Sequence, residues 1–243
     1  MWAIVWRAAY RRLVRSSFAT VPFYRERWAL DGRTDPVLVP DRLGEARGAT
    51  EVTVLAHRLP DLVPLAGGED AFDPLRGLGS VLHACVPMRP DALVVVLGYA
   101  GLPSDLPGRA RACHGDAEVI EPALRRGDDV IAVGTAKELA LLAETLPREL
   151  ADRVRQVPTY HVDDRKDGPY GLLVDDTLGV LGGLRQCGRW HLDWQRVYAR
   201  ELPQGIAFSL LRQRSPRVVD AIVSPVRARL GRCPRHGTPV VLR

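Results

Sequence analysis

ALVVVLGYAG, Ala92 to Gly101, and DDVIAVGTAKELALLAETLPRELADRVRQV, Asp128 to Val157, are the stretches whose reading decides the fold. The first is an unbroken apolar run rich in Val that ends at glycines. The second begins with a run of the same kind and passes into apolar residues at helical spacing. A strand without apolar–polar alternation is one buried on both faces. Such strands alternating with a helix predict a mostly parallel sheet with helices packed against it. The helical pattern is expected to run from Ala136 to Val157.

Working outward, RARACHG (109–115) is expected to be a helix end, AEVIEP (117–122) a short strand and EVTVLAHRL (51–59) a further strand. Residues 58–79, rich in Pro, Gly and Asp, read as a loop or weak boundary. At the N-terminus, Trp2, Ile4, Val5, Trp6, Ala9, Tyr10, Leu13 and Val14 mark one face of a helix. Arg7, Arg11, Arg12 and Arg15 interrupt it, which argues against a signal peptide or a membrane span. Its apolar face suits core packing or contact with a second copy in a homo-oligomer; adsorption to a membrane surface is the sharper alternative. Beyond Pro158, YGLLVDDTLGVLGGL, WQRVYARELP and GIAFSLLRQRSP are strand-rich with tight turns. The expected fold class is therefore α/β, a mostly parallel sheet flanked by helices and followed by a smaller β-rich subdomain. The expected domains are residues 1–157, the N-terminal helices and α/β core, and 158–243, the β-rich part.

The 243 residues can bury a sizeable core, and 46% hydrophobic content is that of a globular chain. The formal net charge of +5 comes almost wholly from arginine, Lys137 and Lys166 being the only lysines. Together with abundant Ala, Gly, Pro and Val this points to a GC-rich genome of the actinobacterial kind. Basic residues are interspersed with acids rather than clustered, so nucleic acid is not the expected partner. The 4 cysteines at irregular spacing fit a reducing cytoplasm better than a disulfide framework.

Chemistry is densest in QCGRWHLDWQRVYARE, Gln186 to Glu201. Three readings of it stand open. In the first, Cys187 and His191 join Cys233 and His236 as a tetrahedral Cys2His2 zinc site, each pair in a tight turn. In the second, Cys187 is a nucleophile activated by His191, with Asp193 orienting the imidazole. In the third, these are a buried cysteine and a histidine satisfied by backbone groups. A His191 bound to metal cannot also act as a base, so the first two exclude each other. Four protein ligands also argue against an open-site zinc hydrolase. Cys113 and His114, and likewise His83 and Cys85, read as packing. His161, Asp163 and Asp164 read as a charged surface loop, a proton-transfer cluster being the alternative; Arg212, Arg214 and Arg217 read as solvent-facing, the alternative being contact with a carboxylate, a phosphate or a carrier protein's phosphopantetheine.

The order of the pieces resembles the phenylacetate-CoA ligase branch of the adenylate-forming, or acyl-CoA synthetase, superfamily. RLVRSSFATVPFYRERWALDG is similar to that family's opening, where Val-Pro-Phe-Tyr-Arg follows an N-terminal helix. GDAEVIEPALRRGDDVIAVGTAKELALLAE resembles its strand–helix stretch, LGGLRQCGRWHLDWQRVYAR its Cys…His segment, and GRCPRHGTPVV its late Cys-x-Cys turn. The matches are short and degenerate but span most of the chain in order. In the family the Cys…His and Cys-x-Cys elements look like paired metal ligands, with His236 here in place of a cysteine.

The departures decide the expected function. The resemblance implies a Ser/Thr/Gly-rich phosphate loop, whose backbone N–H groups would cradle ATP, within LAGGEDAFDPLRGLGSVLHACVP. That stretch instead carries Glu69, Asp70 and Asp73 and no lysine. Where a Tyr-Gly-x-Thr-Glu motif would hold magnesium, the chain has Asp175 and Asp176. The family's ribose-binding Asp has at best a remnant in Asp220, and a mobile C-terminal domain bearing the catalytic lysine would follow where this sequence ends at Arg243. The expectation is a shortened acyl/aryl-CoA ligase-like protein without ATP chemistry, binding or processing an acyl thioester or aromatic acid in bacterial natural-product biosynthesis. Asp175, Asp176 and Asp193 are its candidate catalytic residues, and zinc its expected cofactor. The alternative is a non-catalytic partner of a biosynthetic ligase or carrier protein, docking through Trp2, Trp6 and Tyr10.

Overall fold

The computed structural model describes residues 2–28, 30–38, 48–66, 72–223 and 228–242. The chain opens with α1 (Trp2–Thr20), α2 (Pro22–Arg27), β1 (Thr50–Glu51), α3 (Val52–Ala56) and α4 (Leu78–Cys85). Next come β2 (Leu93–Val96), β3 (Arg111–Cys113), α5 (Ala117–Arg126), β4 (Val130–Gly134), α6 (Ala136–Thr145) and α7 (Arg148–Ala151). The remainder is strand: β5 (Arg155–Tyr160), β6 (Leu172–Asp175), β7 (Gly179–Arg185), β8 (Arg189–Leu192), β9 (Val197–Leu202), β10 (Gly205–Leu210), β11 (Ala221–Val223), β12 (Arg229–Arg232) and β13 (Pro239–Leu242). These elements form two compact units, Asp73–His191 and Met1–Phe72 with Leu192–Arg243.

In the Asp73–His191 unit the strands lie in the order β8-β7-β6-β5-β4-β2-β3. From β3 to β6 every pairing is parallel, and β7 returns antiparallel to β6. The reason lies in the continuous apolar runs. On β2, Val94 and Val96 face one core with Leu78, Val81, Leu82 and Cys85 of α4. Leu93 and Val95 face another with Ile120 and Leu124 of α5 and Leu139 and Leu142 of α6. Successive side chains of a strand point to opposite faces, so a strand covered on both sides must be apolar throughout. The architecture is the expected α/β one, a large sheet flanked by helices.

The unit does not divide at residue 157. Residue 157 lies within β5, which pairs in parallel with β4 on one side and β6 on the other, so residues 158–191 continue the same sheet. Three local expectations are also corrected. AEVIEP is not a strand but the first half of α5, whose apolar face, Ile120, Ala123 and Leu124, continues past Pro122 to a stop at left-handed Gly127. Arg111–Cys113 is not a helix end but the edge strand β3. The helix expected from Ala136 to Val157 breaks at Pro147, and by Arg155 the chain is strand.

In the other unit β1, β11, β10 and β9 form a four-stranded sheet in that order, and β12 and β13 form an antiparallel hairpin. EVTVLAHRL leaves the strand after Glu51 and becomes α3, where Leu55 is buried and Val54 exposed. Tertiary anchoring there overrides the β-propensity of Val and Thr. α1 lies on β9 through aromatic rings: Tyr10 stacks on Tyr198 at 4.1 Å, Trp6 is 4.5 Å from Tyr198, and Trp2 is 6.3 Å from Trp194. The face expected to dock a partner is thus packed inside its own unit. Tyr24 of α2 holds the segment before β11, donating to Arg217 O and accepting from Val219 N, both at 2.9 Å. Among the described residues no helix is long and apolar enough to cross a membrane.

α6 starts on a capping box. Glu138 N donates to Thr135 Oγ1 at 3.3 Å, and Thr135 N donates to Glu138 Oε2 at 2.7 Å. Thr135→Ala is expected to cost about 1 kcal/mol, read as a lower urea midpoint for the Asp73–His191 unit by hydrogen exchange.

Candidate functional site

Two tight turns carry the cysteine–histidine pairs. Between β7 and β8, Gly188 sits in the left-handed region at φ 71° and donates to Arg185 O at 2.8 Å. A type I turn closed by a left-handed glycine is a common three-residue hairpin loop, and it lifts Cys187 to the loop while His191 points inward from β8. There Cys187 Sγ is 3.1 Å from His191 Nε2. Between β12 and β13, Gly237 has φ 68° and donates to Cys233 O at 2.7 Å, while Cys233 N donates to Thr238 O at 2.9 Å. Cys233 Sγ is 3.4 Å from His236 Nδ1. The donor atoms of Cys187, His191, Cys233 and His236 all lie within 4.8 Å of one another. His191 and Cys233 are buried at 1% and 0% exposure. These four residues form a cluster that could hold a metal ion.

The carboxylates do different work. Asp175 Oδ1 accepts from the N–H groups of Thr177 and Leu178 at 2.9 and 3.0 Å, closing the turn between β6 and β7. Burial raises its pKa, against the lowering pull of those two hydrogen bonds. Asp176 beside it is exposed. Asp193 lies 3.7 Å from Arg196 Nη1, and its carbonyl accepts from Arg196 N and Val197 N, shaping the turn into β9. In the stretch expected to hold phosphate, Glu69 and Asp70 lie outside the described residues, and Asp73 Oδ1 accepts from Leu75 N in the turn before α4.

Asp220 is the residue whose role the sequence did not convey. It is wholly buried, and its φ of 52° is left-handed. Arg200 reaches both carboxylate oxygens, Nε to Oδ1 at 3.1 Å and Nη2 to Oδ2 at 3.0 Å. Tyr10 donates to Oδ2 at 2.8 Å and Ser209 to Oδ1 at 3.3 Å. Burial opposes the charge on Arg200, but the Asp220 carboxylate prevails and holds its pKa above the ordinary value. Burial, and then the charge of Asp220, push the Tyr198 hydroxyl up. The sequence signal is slight: Ser209 stands within the apolar run of β10, and Asp220 stands immediately before the apolar β11.

The remaining candidates are structural. Cys85 belongs to the core, and His83 is exposed on the open side of α4. Cys113 packs beside α5, and burial pushes its thiol up to about 11, so little thiolate forms near neutrality. His161, Asp163 and Asp164 occupy an exposed turn. Arg214 is exposed as expected, whereas Arg217 is half-buried.

No protein-family model matches the chain, and no curated protein matches it in sequence. In fold it is similar to 2-hydroxyisobutyryl-CoA ligase in complex with 2-HIB-AMP and CoA in the thioesterification state. The TM-score is 0.67 at 13% identity, covering 99% of this chain and 67% of that one. An open conformation of that ligase with the same two ligands gives 0.62 at 14% identity, covering 88% of this chain and 67% of that one. Its postadenylation state with R3-HIB-AMP gives 0.61 at 14%, with 88% and 60% covered. Over the shared part the chain therefore has a fold like that of this CoA ligase.

A group whose folded pKa is raised destabilises the fold as pH rises through that pKa. Asp175→Asn keeps the Oδ1 acceptor and removes the charge. The variant is expected to match or exceed the parent in urea midpoint at pH 7, with the difference vanishing as pH falls toward the ordinary carboxylate range.

Proposed function

We propose that this chain is an acyl- or aryl-CoA ligase-like protein of the phenylacetate-CoA ligase kind that has lost ATP-dependent adenylation. It binds or processes an acyl thioester, on CoA or a carrier protein, or an aromatic acid, within bacterial natural-product biosynthesis. The observation that carries this is the burial of Asp220. The resemblance puts the ribose-binding carboxylate there, yet both oxygens are taken by Arg200, Tyr10 and Ser209 with no exposure to solvent. Asp175, in the place of the magnesium-holding acid, has Oδ1 committed to its own turn. Residues 65–87 contain no lysine to neutralise a triphosphate. Adenylation depends on positioning and charge neutralisation of the phosphates, and these residues supply neither.

ATP–pyrophosphate exchange with a panel of acyl and aryl acids is expected to stay at background, while acyl-CoA or acyl-carrier substrates are bound or turned over. Exchange at a ligase-like rate overturns the proposal. Asp176→Ala and Asp193→Ala separate a thioester-processing enzyme, which loses turnover, from a docking partner, which does not.

We infer further that Cys187, His191, Cys233 and His236 hold structural zinc. A tetrahedron with Zn–S of about 2.3 Å and Zn–N of about 2.0 Å sets its donors roughly 3.3–3.8 Å apart. The pairs at 3.1 and 3.4 Å, and the whole set within 4.8 Å, need only small adjustment to meet it. Zinc so bound has a closed coordination shell and supplies folding energy rather than an open catalytic position. On this assignment Cys187 is a ligand thiolate and His191 is no base. Protein purified without chelator is expected to carry one zinc by elemental analysis. Cys187→Ser and Cys233→Ser should each lose it and melt lower. Metal-free protein of unchanged melting temperature overturns the assignment.

A further inference from the structure

A groove of about 740 Å³ runs along the outer side of α1, between the helix and the segment that follows β10. At one end its helix wall is apolar and open, with Ile4 75% and Val5 55% exposed and Ala8 beside them. The rest of the lining is largely cationic: Arg12 lies further along the helix, Arg212, Arg214 and Arg217 come from the segment after β10, and Arg217 reaches Ser16 of α1. Among the described residues no Asp or Glu lines it.

Arg217 lacks a counter-charge. Its Nη1 donates to Ser16 Oγ, and its buried Nε has no hydrogen-bond partner among the described residues. Burial lowers its pKa, with no opposing carboxylate among the described residues. Removing a guanidinium from water without a counter-charge is costly, and a bound anion offsets that cost through charge-assisted hydrogen bonds. Arg15, one turn further along α1, already has such a partner in Asp35 at 2.8 Å.

We propose that this groove binds an anionic amphiphile, its phosphate or carboxylate held by Arg12, Arg214 and Arg217 and its alkyl or acyl chain laid over Ile4, Val5 and Ala8. An inorganic anion alone would leave the apolar residues unused, and a neutral lipid would bring Arg217 no counter-charge. The volume is that of a small-molecule site. The concave shape, walled on both sides, fits a single extended molecule better than a bilayer surface. The site is separate from the thioester chemistry proposed above and stands or falls independently of it.

Calorimetric titration at fixed salt with inorganic phosphate, butyl phosphate and monomeric decyl phosphate tests it, with vesicles of phosphatidylglycerol or phosphatidylcholine as further arms. Decyl phosphate is expected to bind at least tenfold more tightly than butyl phosphate, since each buried methylene contributes about fourfold. Arg12→Gln with Arg214→Gln, both exposed side chains, should weaken decyl phosphate at least tenfold with an unchanged circular dichroism spectrum. Val5→Asp should flatten the dependence on chain length. Equal affinity for the two alkyl phosphates, no loss in the arginine variant, no binding at all, or binding to phosphatidylglycerol vesicles alone each overturns the proposal.

Discussion

A carboxylate with no access to water has to be neutralised where it lies, and the unit containing α1 is arranged around that need. Desolvating the Asp220–Arg200 pair costs several kcal/mol per ion, recovered only if geometry and hydrogen bonding are complete. They are: the fork of Arg200 comes from β9, the hydroxyl of Ser209 from β10, and the phenol of Tyr10 from α1. Thr50 N donates to the Asp220 carbonyl at 3.0 Å, so β1 is tied to the same residue. The left-handed backbone at Asp220, tolerated by Asp more readily than by most residues, turns the carboxylate toward its partners. Once Tyr10 is fixed, helical spacing sets the rest of α1. Trp2 and Trp6, on the same face, must lie on β9, and Ile4, Val5 and Arg12 must face away.

How much of this was legible in the sequence depended on distance along the chain. The runs at Val94–Val96 and Val130–Val133 announced strands buried on both faces because nothing but a two-sided core explains them. The two Cys–His pairs were legible because each is local to one hairpin and its left-handed glycine. AEVIEP misled because Val, Ile and a Pro outweighed a helical period that becomes visible only with Ala123, Leu124 and Gly127. The environment of Asp220 could not be read, since Tyr10 lies 210 residues away and no local pattern pairs them. Asp175 was recognised as a special position, but which partner its oxygens would take was a matter of turn geometry.

A likeness in fold to a CoA ligase at 13% identity is what physical chemistry allows, since a core tolerates extensive replacement while its volume and apolar pattern are kept. Polar positions follow different rules. A buried carboxylate needs a partner for each oxygen, and Asp220 has its partners within its own unit. A shared scaffold is therefore a poor guide to shared chemistry, and individual hydrogen bonds are the better one.

The outermost strand of the Asp73–His191 unit, β3, has a bearing on solubility. A long, flat, apolar strand at a sheet margin is a template on which other chains can stack. β3 offers only Arg111 to Cys113, opens with an exposed arginine 4.0 Å from Asp128, and runs straight into the turn before α5. An incoming chain would meet a charge and run out of partners after a single repeat. A short edge strand that opens on a charge is a poor template, and the valine-rich strands inside the sheet lie behind it.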